Sequence, residues 1–320
     1  MAITVLALKL QAYEGKITIH AVDENGIAVT NARAGAQFQN ALKPGEGWGN
    51  GRPTEVKGIT DTNGMCVLAA EGTDSSVSIG VMKDGYYYSS AHVHFTNADF
   101  ILHRWQPWNP TVEVVLKKKG IQVPMYARRI QEIKIPVENQ TVGFDLMKGA
   151  WVEPYGRGEA NDLVFKFELK SVSEIKTKRF PEKFYDASWT VSLSNDGDGI
   201  QSFLAPPHGQ SELRLPRQAP AEGYEAVLVK RTYRLQGKPT YSDFREDQNY
   251  FFRVRTKKDE KGQVISALYG KIPGDIRVGQ DGFLRFTYYL NPELNSRNME
   301  FDPGKNLFSN LKKDEQVTAP

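Results

Sequence analysis

His92 and His94 are separated by a single residue in Ala91-His92-Val93-His94-Phe95. Side chains two apart on a strand share a face, so two imidazoles so placed can ligate one ion. His103, further along, supplies a third candidate ligand, and three such groups would suit zinc or copper. A second group is aromatic: Tyr86, Tyr87 and Tyr88, then Trp105 and Trp108, with Trp151 and Tyr155 later in the chain. Sugar rings stack on exposed aromatic faces through their apolar C–H faces. Tyr86, Tyr88, Trp105, Trp108, Trp151 and Tyr155 are therefore the candidate ligand-binding residues. A third group is acidic. Glu153, Glu159 and Asp162 lie around Trp151 and Tyr155, and a carboxylate pair is the raw material of glycoside hydrolysis.

Other signals are weaker. Ser194-Asn195-Asp196-Gly197-Asp198-Gly199 has the composition of a calcium loop. Counted from Asp196, however, the fifth place is Ile200 and the twelfth Pro207, which the helix–loop–helix calcium pattern does not allow; the segment reads as a solvated loop. Gly156-Arg157-Gly158 lacks the downstream Gly-Lys-Ser/Thr of a phosphate loop. No Gly-x-Ser-x-Gly elbow accompanies His208, which follows Pro206-Pro207. Cys66 is the one cysteine, so no intrachain disulfide forms, and its apolar neighbours Met65 and Val67 mark it as a small buried hydrophobe. The chain has 41 basic and 38 acidic residues, a net charge of +3. That balance excludes the electrostatic footprint of nucleic-acid binding. No stretch approaches the ~18 apolar residues of a membrane-spanning helix.

Two turn phrases organise the first third of the chain: Asp23-Glu24-Asn25-Gly26 and Thr60-Asp61-Thr62-Asn63-Gly64. Asn-Gly predicts a tight hairpin turn with positive φ at both residues. Alternating apolar positions flank them, Ile17, Ile19 and Ala21 before the first, Cys66 and Leu68 after the second. The pattern predicts strands over 16–22, 32–39, 58–60, 65–70, 77–83, 86–96 and 111–118, with a Gly- and Pro-rich loop over 40–53 around Trp48. This succession, closed by Lys83-Asp84-Gly85-Tyr86-Tyr87, resembles the carboxypeptidase regulatory-like domain over about residues 14–118. The resemblance implies a small β-sandwich of transthyretin-like shape that does no chemistry itself and gives its tyrosines a structural role. Ala91–Phe95 also looks like the iron-ligand strand of intradiol ring-cleaving dioxygenases. That likeness implies two tyrosinate ligands far upstream and an arginine just before the histidines. This chain has only Tyr13 and the Tyr86–Tyr88 run upstream, and Ser89-Ser90 where the arginine would stand.

A chain of 320 residues exceeds the ~250–300 residues that one core organises. The boundary is predicted at Lys117-Lys118-Lys119-Gly120, giving one sandwich over 14–119. Strand patterns over 162–169, 189–193, 224–233, 250–256, 264–271 and 283–290 predict a second, larger jelly-roll-like sandwich over 120–315. Residues 316–320 are read as a disordered tail. Residues 1–13, with apolar Ile3–Leu10 before Gln11-Ala12, are read as a leader or signal remnant. The predicted protein is all-β and exported to the bacterial envelope or beyond. It would be a non-catalytic binding or structural protein with a glycan or envelope protein as partner. No cofactor is predicted unless the histidines hold a divalent metal. The competing reading is an enzyme, either metal-dependent through His92 and His94 or a glycan hydrolase.

Overall fold

The computed structural model describes residues 11–42, 51–175, 181–206 and 211–320. Most of the predicted leader, Trp48 and His208 lie outside them. Among the described residues the fold is all-β, with 57% strand and no helix. No helix among the described residues is long and apolar enough to cross a membrane. The chain divides into two compact units at Gly120/Ile121, with Ser211 and Glu212 counted in the first.

The first unit contains β1 (Tyr13–Asp23), β2 (Arg33–Asn40), β3 (Gly51–Ile59), β4 (Met65–Gly72), β5 (Ser76–Met82), β6 (Ser89–His94), β7 (Asn97–Asp99), β8 (Arg104–Gln106) and β9 (Thr111–Leu116). One sheet runs β4-β1-β8-β7, with β9 also on β1; the other runs β3-β2-β5-β6. Ile17, Ile19 and Ala21 of β1 meet Ala34, Ala36 and Phe38 of β2 and Val77, Ile79 and Val81 of β5 in one buried core. The alternate residues of β2 and β5 are left facing outward, which creates the site described below.

The turn phrases form differently from the Asn-Gly prediction. Gly26 and Gly64 are left-handed, with φ of 76° and 73°, but Asn25 and Asn63 are not. An aspartate latches each turn instead. Asp23 Oδ1 accepts the N–H groups of Asn25 and Ile27 at 2.8 and 3.0 Å. Asp61 Oδ1 likewise takes those of Asn63 and Met65, both at 2.8 Å. Asp259 repeats the device on Lys261 and Gln263, with Gly262 left-handed. The working phrase is thus Asp-x-x-Gly, the carboxylate holding the turn and only glycine carrying positive φ. The first two are not hairpins either, because β1 to β2 and β3 to β4 each cross from one sheet to the other. Tyr13, read as the end of the leader, is instead the first residue of β1. It is buried because its ring lies against Trp105 and His103.

The second unit holds β10 (Val123–Lys134), β11 (Thr141–Asp145), β12 (Ala150–Trp151), β13 (Leu163–Ile175), β14 (Glu182–Ser192), β15 (Gly199–Leu204) and β16 (Val227–Arg234). It continues with β17 (Tyr241–Ser242), β18 (Gln248–Lys258), β19 (Val264–Ile272), β20 (Arg277–Val278), β21 (Phe283–Asn291) and β22 (Phe301–Asn306). A six-stranded sheet, β12-β11-β13-β14-β16-β17, and a seven-stranded one, β15-β18-β19-β21-β10-β22 with β20 on β21, supply the layers. Phe144, Phe165, Phe167 and Trp189 of the first pack with Tyr250, Phe252, Phe286 and Tyr288 of the second. Residues 316–320 are held rather than loose. Val317 is buried with Met125, Ala127, Tyr289 and Phe301, and Tyr289 Oη donates to the Ala319 carbonyl at 2.8 Å.

Candidate functional site

The outward residues of β3, β2, β5 and β6 form three rows across the strands. Register places Lys57, Gly35, Gly80 and Ser90 in the middle row. Ile59, Arg33 and Met82 line one side, and Glu55, Gln37, Ser78 and His92 the other. Two glycines in the middle row lower the floor, leaving a trough of about 940 Å³ whose lining also includes Tyr88. The Tyr88 ring lies on Gly80, where a Cβ would collide with it. Gly35 is uncovered: a Cβ there would meet nothing nearer than Val56 O at 3.8 Å.

The polar row is pre-ordered. Gln37 Nε2 donates to Glu55 Oε1 at 3.1 Å, and Ser78 Oγ lies 3.3 Å from His92 Nδ1. Arg33 and Lys57 add cations at the other rows, Arg33 loosely paired with Asp84 at 3.6 Å. The trough therefore offers one aromatic face, side-chain donors and acceptors of both kinds, and nearly balanced charge. It has the makings of recognition by stacking and hydrogen bonding.

Of the residues singled out by sequence, the trough brings together Tyr88 and His92. His94 is paired with Ser76 and shares the exposed face of β6 with His92. His103 lies elsewhere, just before β8 in the opposite sheet, with Nδ1 3.0 Å from Gln11 Nε2. No group of three His, Cys, Asp or Glu side chains among the described residues could hold a metal ion. The other aromatics do not join Tyr88. Tyr86 is half-buried against the core under Lys83 Nζ. Trp105 stacks on Phe95 and donates its indole N–H to the Gly72 carbonyl at 3.1 Å. Trp108 lies beneath Arg104 and Lys16, whose charged ends are 5.1 and 5.7 Å from its centroid. Trp151 is a core residue, edge-on to Phe144 and Phe165, while Tyr155 sits exposed in a turn.

Of the acidic candidates of the second unit, Glu153 and Glu159 are exposed and only Asp162 is held within the fold. Glu159 pairs with Lys148 at 3.1 Å. Asp162 is buried, taking Arg255 Nε at 2.8 Å and Nη2 and the Leu146 N–H, both at 2.9 Å. Burial nevertheless pushes its carboxyl above the ordinary range. Asp145, absent from the sequence-based set, shares Arg255 and accepts N–H groups from Met147, Lys148, Glu159 and Ala160. Its burial acts upward, but those N–H groups and Arg255 outweigh it and hold the carboxyl below the usual value. Both carboxylates thus hold Arg255 and the loop N–H groups in a structural clamp. In the calcium-like loop, Asp196 bonds Lys258 at 2.8 Å. Asp198 grips the bulge of β18 through the Arg255 and Thr256 N–H groups. Burial raises the Cys66 thiol, helped by Asp61, in keeping with an inert core residue.

A third polar cluster was not expected. Lys230 Nζ, nearly buried, donates to Asp275 Oδ1 and Oδ2 at 2.9 and 2.7 Å and to the Asp243 carbonyl at 3.0 Å. Tyr250 Oη donates to Asp275 Oδ1 at 2.5 Å. The signal was available in the sequence: Lys230 occupies an inward position in the alternation of β16.

No protein-family model matches the chain, and no curated protein matches it. Among solved structures it is similar to 3-chlorocatechol 1,2-dioxygenase from Rhodococcus opacus 1CP, at 12% identity and a TM-score of 0.25, over 33% of this chain and 60% of that one. A catechol 1,2-dioxygenase variant from Acinetobacter radioresistens aligns at 15% identity and a TM-score of 0.25, over 36% and 55%. The shaft pilin SpaA of Lactobacillus rhamnosus GG aligns at 10% identity and a TM-score of 0.23, over 59% and 90%. The chain thus spans about three fifths or less of either dioxygenase. At these scores the likenesses carry no assignment.

Proposed function

We propose that this protein is a non-catalytic glycan-binding protein of the bacterial envelope, and that a sugar lies in the trough with one ring on Tyr88. One observation supports this reading above the rest: an exposed tyrosine ring and the Gln37, Glu55 and His92 side chains border a floor left open at Gly35. A pyranose needs one apolar face to stack on and donors and acceptors at its rim, and the trough offers both. The first unit, of carboxypeptidase regulatory-like kind in this reading, would be a stiff scaffold for that face.

Glycan-array screening of the full chain, followed by calorimetry on the best binder, tests this. Binding lost in Tyr88→Ala and in Gly35→Leu, with the fold intact by circular dichroism, is the expected result. Binding that survives both substitutions would move the site elsewhere. Stoichiometric iron, copper or zinc lost in the His92→Ala, His94→Ala double variant would overturn the non-catalytic reading.

A further inference from the structure

Asp99 and Arg104 form the last rung of the β7–β8 hairpin, and Phe100, Ile101, Leu102 and His103 make its tip. Phe100, Ile101 and Leu102 are 73%, 89% and 55% exposed. Scattered surface hydrophobes need no explanation, but three in succession at one projecting turn do. The turn is fixed. Asp99 Oδ1 accepts the Ile101 and Leu102 N–H groups at 3.1 and 2.9 Å, and the His103 carbonyl accepts the Glu14 N–H at 3.0 Å.

We propose that this tip inserts into the interfacial region of a lipid bilayer. Behind the apolar tip comes a collar of amphipathic groups. Tyr13 meets Phe100 edge-on at 5.9 Å, and Trp108 carries Arg104 and Lys16 over its ring. Buried Tyr13 thus braces the tip from behind, and apolar side chains outermost, then tryptophan and cations, is the layering that a headgroup boundary selects. Asp99 and Glu14 offset part of the positive charge, so apolar insertion rather than charge attraction drives the contact.

Co-sedimentation of the full chain with phosphatidylcholine vesicles, with and without phosphatidylglycerol, tests the assignment. Wild-type protein should pellet with both. Ile101→Asp should reduce the bound fraction by about tenfold, since it removes several buried methylene equivalents, with its strand spectrum unchanged. In Ile101→Trp, the added emission should shift to the blue on vesicles and be quenched by brominated lipid. No vesicle binding by wild type, equal binding by Ile101→Asp, or an unquenched tryptophan at 101 would each overturn the proposal. So would self-association that Ile101→Asp abolishes while vesicle binding is absent, which would assign the tip to a second copy of the chain. None of these readouts depends on the trough.

Discussion

Gly35 and Gly80 pair directly across β2 and β5, yet only Gly80 is covered, by the ring of Tyr88. Both lack a side chain in the middle row, for opposite reasons. At Gly80 the missing Cβ makes room for an aromatic ring to lie flat on the sheet. At Gly35 it leaves space that none of the described residues fills. A glycine inside a strand costs about 0.5–1 kcal/mol relative to alanine, so an unfilled Gly35 is unfavourable to the fold and consistent with a binding floor.

The two glycines should therefore respond with opposite signs. Gly80→Ala should destabilise the first unit by about 1–3 kcal/mol, because Tyr88 must leave its position. Gly35→Ala should be neutral or stabilising by up to about 1 kcal/mol. Urea midpoints of the two variants, measured against wild type, decide this. Equal destabilisation by both would mean that Gly35 is not open.

Thr60 is a second discriminating position. Its buried hydroxyl accepts the Ala32 N–H at 2.8 Å and donates to the Val29 carbonyl at 2.7 Å, tying the start of β2 to the end of β3. Thr60→Val keeps the shape but strands both backbone groups, at a cost of about 1–3 kcal/mol. Thr60→Ser keeps both bonds and should lose less. Thermal unfolding of the two variants checks the order.

The Lys230–Asp275 pair should show the asymmetry of buried ions. Asp275→Ala removes the acceptor of Lys230, Tyr250 and the Arg245 N–H together, and should cost about 3–5 kcal/mol. Replacing both ions, Lys230→Met with Asp275→Leu, should recover part of that loss, because no unpaired charge remains. A double variant weaker than Asp275→Ala would show that the cluster stabilises the second unit beyond cancelling its own desolvation.

Strand positions were legible because Ile17, Ile19 and Ala21, or Phe165 and Phe167, alternate with polar neighbours, and one buried face enforces that alternation. Tyr88 and His92 were legible as chemistry-bearing residues, but not the site that joins them. The trough depends on the register that sets Gly35 opposite Gly80, a long-range relationship that no local pattern encodes. Trp105 and Trp151 misled for a related reason. An aromatic residue looks the same in sequence whether its ring meets water or, as here, Phe95 or Phe144. The adjacent Asn-Gly masks the latching role of Asp23 and Asp61 in the sequence, although the aspartate recurs in Asp259-Glu260-Lys261-Gly262, where no asparagine is present.

Glu315 gives the clearest dependence on pH. Arg128 Nη2 lies 2.6 Å from Glu315 Oε1, and the Lys312 N–H approaches Oε2 at 3.1 Å. Burial acts upward on this carboxyl, but Arg128 and the Lys312 N–H outweigh it and hold it below the ordinary glutamate value. A carboxylate with a lowered folded-state value binds fewer protons folded than unfolded. Its contribution is therefore fully present above the unfolded value, about 4.3, and is lost as pH falls through the lowered one. Glu315→Gln should thus cost about 1–2 kcal/mol at neutral pH, the scale of a partly screened charged hydrogen bond. The difference from wild type should shrink as pH falls through the lowered folded-state value. Because Val317 is buried two residues further on, the variant should also speed amide exchange at Val317 at neutral pH. A difference that stayed constant from neutral to acid pH would mean that Glu315 holds the tail by shape rather than by charge.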